Sequence, residues 1–474
     1  MGRSRIVLSA AAVLAVAIGT ALAYAAGGFG AGSPAPGSTQ ELTLPMSDGV
    51  PLACSVTYPE NVPNELPGGG HPGVILFPGF GQTHGDLLPA AQFFSADGYE
   101  ALTCDARGTG ASGGTFGLAG PRDVQDARDL FTWLSGQLGN GDIGAFGLSL
   151  GGAEIWNAAV AGVPFAAIAP GATWTDLGRA LAQHGVFDDG VAQQLAQAAP
   201  ASRWDPSLAQ ARNDLLAGTD SAAVQTLAAT RSSRFRLRAL TMPTLILQGR
   251  HDFSFDLDQA LAAYRRLKAS HELYAGDLGA APAPNPATEP AVYLKLVTGF
   301  FDTYIKAISR EPGVDRAVSL AHDPWDGRVS SFAGIPPTRS TSVTLPGTAT
   351  LGATQVVRRA ARLTGGPLET FGGGSVVVRY SGASGWTHLV AAVSVQGSPT
   401  PVTIGAAQLT KPSGLLRIPL LDEAVLLPRG KRLVVTVGAT SPGGVFGGTE
   451  PAGATITLGR VTLNLSLLRL AVSR

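Results

Sequence analysis

From Gly73 onward the chain alternates short apolar runs with longer amphipathic stretches. The runs are GVILFPGF (73–80), EALTCDARG (100–108), DIGAFGLS (142–149), FAAIAPGA (165–172), TLILQGRHD (244–252) and ELYAGD (272–277), punctuated by Gly or Pro. Their lack of polar alternation predicts strands buried on both faces, as in a parallel sheet. Between them, PRDVQDARDLFTWLSGQL (121–138) opens on Pro121 and gathers Val124, Leu130, Trp133 and Leu134 near one helical face. LDQALAAYRRLKAS (257–270) is a second amphipathic helix. Earlier, ELTLPM and VPLACSVTYP predict two strands around a Ser47-Asp48-Gly49 turn. Strand–helix alternation predicts an α/β fold with its site at the carboxyl ends of the strands.

Two stretches break the rhythm. Residues 173–240 are rich in Ala, Gln and Leu and far longer than one crossover. They predict a helical cap inserted over the carboxyl edge of the sheet, where it would shape a pocket and exclude water. After the helix AVYLKLVTGFFDTYIKAI (291–308), AHDPWDGRVSSFAGIPPTRS (321–340) reads as an irregular linker. From Ser342 on, short alternating runs such as GSVVVRYSG and KRLVVTVGAT predict a β-sandwich. The expected division is a signal peptide or anchor at 1–26, linkers at 27–40 and 321–341, an α/β domain at 41–320 and a β-sandwich at 342–474.

At 474 residues, 45% hydrophobic and 14% charged, the chain has material for more than one core. Its formal net charge is zero and no basic tract appears, which argues against a nucleic-acid partner. No Cys/His cluster has zinc spacing, and no P-loop or dinucleotide fingerprint appears, so neither metal nor cofactor is expected. MGRSRIVLSAAAVLAVAIGTALAYAAGG carries Arg3 and Arg5, an apolar run and A-x-A patterns, which read as an export signal. The expectation is a secreted or cell-surface protein, membrane-anchored if the segment is not cleaved. In an oxidising compartment Cys54 and Cys104 can bridge, or they are two buried thiols.

Gly147-Leu148-Ser149-Leu150-Gly151 is G-x-S-x-G between a predicted strand and a predicted helix, the context of a nucleophile elbow. Ser149 is the candidate nucleophile. An acyl transfer also needs N–H donors at the developing oxyanion. Leu150, just after the serine, and Phe80, in Pro78-Gly79-Phe80-Gly81, are the candidates. Asp252, at the end of TLILQGRHD, is placed to orient a histidine in the chain order Ser, Asp, His. Trp174, where the cap begins, is a candidate substrate-binding residue, although a core tryptophan is the commoner outcome. Asp105 and Arg107 are expected to fix their own loop by hydrogen bonds.

With GFGLSLGG at the elbow, CDARGTGASGG (104–114) after a strand and QGRHDFSF at the acid, the chain resembles an α/β-hydrolase of the X-prolyl dipeptidyl-peptidase and cocaine-esterase-like group. The linker and β-region resemble that group's junction and jelly-roll C-terminal domain. The resemblance implies hydrolysis of an ester or amide, including X-prolyl peptides, through an acyl-serine. Its substrate would be a small molecule or peptide. It also sets the strands of Cys54 and Cys104 side by side, which implies a disulfide. The group often places a tyrosine hydroxyl in the oxyanion hole, where this chain has Phe80.

The resemblance fails at one position. The group carries its histidine in a pattern like G-D-x-G-H, and here Gly276-Asp277-Leu278-Gly279 is followed by Ala280. Without a base, a serine hydroxyl is a poor nucleophile at neutral pH. Three readings follow: a ligand-binding pseudoenzyme, a variant with its base removed, or a takeover by another histidine. His84 and His251 lie in segments that approach the site, and His184 lies in the cap. His71 and His271 begin strands, and His322 and His388 lie in the linker and β-region.

Overall fold

The apolar runs form the middle of a ten-stranded sheet. Its strands are β1 (Thr39–Pro45), β2 (Pro51–Thr57), β3 (Gly73–Phe77), β4 (Glu100–Cys104), β5 (Ile143–Leu148) and β6 (Ala167–Gly171), then β9 (Thr244–Gly249), β10 (His271–Gly276), β11 (Val318–Ala321) and β12 (Val329–Phe332). The spatial order is β1-β2-β4-β3-β5-β6-β9-β10-β11-β12. The strands from β4 to β11 run parallel, and β1, β2 and β12 are antiparallel to their neighbours. Every residue of β3, β4, β6, β9 and β10 is buried, as expected of strands covered on both faces. Helices α2 (Pro121–Leu138) and α3 (Leu150–Val160) cover one face, while α1 (Leu88–Ala96) lies on the other.

This computed structural model describes residues 34–61, 70–308, 316–363, 367–442, 446, 448 and 450–469. The segment 1–26, and with it the choice between signal peptide and anchor, lies outside the described residues. Among the described residues no helix is long and apolar enough to cross a membrane.

The long connection after β6 holds α4 (Leu177–Leu181), a hairpin of β7 (Ala182–Gln183) and β8 (Val186–Phe187), α5 (Asp189–Ala196), α6 (Ala209–Leu216) and α7 (Ala222–Thr230). Its core of Trp174, Leu177, Leu195, Leu215 and Leu227 is continuous with Leu150 and Phe255 of the sheet domain. Two further helices, α8 (Leu257–Arg266) and α9 (Glu289–Tyr304), pack on opposite faces of the sheet.

The segment expected as an irregular linker is more ordered than that. β12 lies inside it and closes the edge of the sheet against β11. Its four residues show no apolar alternation, so the pairing is set by β11 and not by local pattern.

The rest of the chain forms two antiparallel sheets. One comprises β13 (Thr338–Leu345), β14 (Ala349–Gly352), β17 (Ser375–Ser384), β20 (Gly414–Pro419) and β23 (Thr455–Leu468). The other has the order β15 (Val356–Arg362), β22 (Arg432–Gly438), β18 (His388–Val395), β19 (Pro401–Gln408). A short pair, β16 (Leu368–Glu369) and β21 (Leu426–Leu427), lies beside them. Val376, Val378, Val435, Val437, Leu463 and their neighbours fill the space between the sheets. The outer face of β18 and β19 is also covered: Val390, Ala392, Ile404 and Ala406 pack on Val186 of the cap and Phe253 of the sheet domain. Double coverage explains why HLVAAVSV is buried through six consecutive residues.

Candidate active site

Ser149 stands between β5 and α3 at φ 55°, ψ −119°, a left-handed conformation that an L-residue adopts only when its surroundings enforce it. The enforcement is visible. Its N–H donates to Gly171 O at 2.9 Å, and its carbonyl accepts from Ala153 N at 3.1 Å. The flanking glycines allow the turn to press on β3. A Cβ at 151 would lie 2.1 Å from Phe77 O, and one at 147 would lie 2.8 Å from the same atom. The G-x-S-x-G pattern is therefore required by backbone contact with the neighbouring strand.

The candidate oxyanion donors lie on either side of this turn. Leu150 begins α3, so its N–H has no intrahelical acceptor. The Gly79 N–H is occupied by Gln82 Oε1 at 2.8 Å, which holds the loop carrying Phe80. Among the described residues neither Phe80 N–H nor Leu150 N–H has an acceptor. The Phe80 ring is partly exposed and stacks on Trp174, with centroids 6.3 Å apart. Trp174 corrects an expectation: it is only 1% exposed, and its Nε1–H donates to Arg231 O at 2.9 Å. It is wedged between Phe80 and Phe255 and has almost no exposed surface.

Asp252 is wholly buried. Its Oδ1 accepts from Ser254 N at 2.8 Å and Phe255 N at 3.0 Å, and its Oδ2 accepts from Ala280 N at 3.0 Å. Burial pushes the carboxyl up to about 7 against the opposing pull of these three N–H groups, with Asp256 adding repulsion. Position 280 is thus held against the acid. Gly279, at φ 129°, permits the approach, because a Cβ there would lie 2.4 Å from Asp252 Oδ2. Asn285 locks the loop by exchanging hydrogen bonds with Gly279 N at 3.0 Å and Gly279 O at 2.9 Å. No sequence motif announced Asn285.

None of the seven histidines takes the missing place. His84 Nδ1 bonds Asp105 Oδ1 at 2.7 Å and its Nε2 bonds Glu41 at 2.9 Å. His251 points the other way, with Nε2 on Pro401 O at 2.9 Å, and burial lowers it to about 4. The cap's His184 accepts Gln408 N at its carbonyl. His71 bonds Glu100, His271 bonds Ala269 O, His322 bonds Asp326 and Ser330, and His388 bonds Thr387 and Ala439 O.

Support for the acid also comes from far along the chain. Asp422 O accepts Leu257 N at 2.9 Å and Ala424 N donates to Arg250 O at 2.7 Å, so residues 422–424 bond both ends of the loop holding Asp252. The buried Arg250 guanidinium bonds Ala424 O, Ala321 O and Glu369. A separation of some 170 residues hides this clamp from sequence reading. Cys54 and Cys104 face each other across β2 and β4 and are joined by a disulfide. Beside them, Asp105 accepts Ala111 N at 2.7 Å and Arg107 forms a two-point ion pair with Asp126 at 2.6 Å, fixing the loop. Among the described residues no group of three His, Cys, Asp or Glu is set to hold a metal.

A strained serine after a parallel strand, two free N–H groups and a buried acid in the loop after a later strand define an α/β-hydrolase framework. Residues 48–279 match the family profile of X-Pro dipeptidyl-peptidase (S15 family). A stretch of 89 residues is 42% identical to cocaine esterase of Rhodococcus sp. (strain MB1 Bresler), covering 18% of this chain and 15% of that protein. A CocE/NonD family hydrolase from Staphylococcus aureus superposes with a TM-score of 0.68 at 14% identity, covering 91% of this chain and 93% of that one. An alpha-amino acid ester hydrolase superposes at 0.67 and 14% identity, covering 93% and 98%. In fold and in its matched segment the chain is similar to the α/β-hydrolase group of X-Pro dipeptidyl-peptidases and cocaine-esterase-like proteins.

Proposed function

We propose that the chain is an exported serine hydrolase framework for esters or amides, X-prolyl peptides among them, that lacks its general base. Ser149 is the nucleophile, Phe80 and Leu150 supply the oxyanion N–H groups, and Asp252 is the orienting acid. One observation carries this reading: Asp252 Oδ2, the atom that would hold an imidazole, is met by the backbone of Ala280 and by no histidine. Acyl substrates bind in the pocket roofed by the cap, and turnover falls by orders of magnitude because no group takes the serine proton.

The test is steady-state hydrolysis of a p-nitrophenyl ester and an X-prolyl p-nitroanilide by the chain and by Ala280→His. The variant should gain at least about 10³-fold in kcat/KM on one of them, and Ser149→Ala should abolish the gain. The substrate that responds names the class. No gain on either refutes the site assignment.

A further inference from the structure

The formal charge of zero conceals a segregation. Residues 338–474 carry 13 Lys and Arg against 4 Asp and Glu. All four acids are turned inward. Glu369 meets Arg250, Asp422 and Glu423 sit at the acid loop, and Glu450 bonds Thr387 and His388. Among the described residues the cations other than Arg359 are exposed, and five of them gather on one ledge.

The ledge is the uncovered half of the β15-β22-β18-β19 sheet. Paired residues of neighbouring strands point to the same face. The row Ala392, Thr436, Arg358 therefore crosses from beneath the sheet domain into solvent in about 10 Å. Two rows further along the same face, past Ala360 and Val434, Arg362 lies directly opposite Arg432. Like charges so placed repel unless an anion lies between them. Arg429 and Lys431 extend the group through the turn before β22, and all five side chains are exposed. Among the described residues none has an acidic partner; the neighbouring Arg359 turns away, donating to Gly459 O and Leu345 O.

We propose that this ledge binds a linear phosphate-bearing polymer. Four of its five cations are arginines, whose planar fork grips phosphate at two points. Arg358 and the Arg362–Arg432 pair lie four residues apart along the strands, about 13 Å, a spread that suits an extended chain of phosphates more than one isolated anion. Among the described residues the ledge holds no aromatic ring on which bases would stack, so a sugar- or polyol-phosphate chain fits better than a nucleic acid.

The test is titration of the full chain with medium-length inorganic polyphosphate. Binding should weaken steeply with salt, and Arg358→Gln/Arg362→Gln/Arg432→Gln should lose at least about tenfold in affinity. Arg379→Gln/Arg417→Gln/Arg460→Gln, on the other sheet, should change it by less than about twofold. On the unaltered chain, polyphosphate should shield Arg362 and Arg432 from phenylglyoxal. Absence of binding, equal loss from both sets, no shielding, or a preference for anionic vesicles or single-stranded DNA over polyphosphate would each overturn the proposal.

Discussion

At the scale of single residues, the site is governed by where atoms cannot go. Gly151→Ala would drive a methyl to 2.1 Å from Phe77 O, with β3 unable to retreat from β5. We expect it to cost about 3 kcal/mol or more, read by urea denaturation. Gly279→Ala is placed for a different loss, since its Cβ would meet Asp252 Oδ2 at 2.4 Å. In the Ala280→His background it should cut the recovered hydrolysis by about 10²-fold, because displacement of an orienting acid is costly. At this scale the sequence was legible wherever chemistry has a local signature. Ser149 sits in a five-residue motif, and Asp252 lies three residues past the end of β9. Asn285 and Gln82 left no trace, because their function is to bond a loop whose shape local pattern does not encode.

Among the elements, the disulfide ties the β1–β2 hairpin to β4 and spans 50 residues of sequence. Closing a loop of that length restricts the unfolded chain, so Cys54→Ala/Cys104→Ala should lower the unfolding free energy by about 2–4 kcal/mol. A change under about 0.5 kcal/mol by chemical denaturation would contradict this account. The parallel strands were readable because burial on both faces leaves them wholly apolar. The same logic concealed β12 and blurred β18 and β19: one is too short to show a period, and the others lose theirs because the sheet domain covers their outer face. For Trp174 the structure shows the core placement, the commoner of the two outcomes. Its position at the head of the cap is right for a pocket, but the ring is consumed by packing between Phe80 and Phe255.

Across the whole molecule, the β-sandwich acts as part of the hydrolase core, because residues 422–424 and Glu369 hold the acid loop and Arg250. A chain ending at residue 337 would leave the Arg250 guanidinium buried without Glu369 or Ala424 O, and we expect it to be insoluble or unfolded by circular dichroism. The carboxyls crowded near this seam set the pH response. Burial pushes Asp252 and Asp422 up to about 7 and Asp256 to about 6, and Asp123 in the first turn of α2 also to about 7. A carboxyl raised on folding favours the native state below its unfolded value near 4, and that contribution is lost as pH rises through the folded value. Tm should therefore fall between pH 5 and pH 8, by on the order of 5 °C. A Tm that rises over this range would show that these acids are ionised at little cost.

The most direct measurement is fluorophosphonate labelling of the chain beside Ser149→Ala and Ala280→His. The account predicts that Ala280→His is labelled at Ser149, that the unaltered chain is labelled slower by at least about 10³-fold, and that Ser149→Ala is not labelled. Labelling of the unaltered chain as fast as Ala280→His would contradict it, because some other group would then be taking the serine proton.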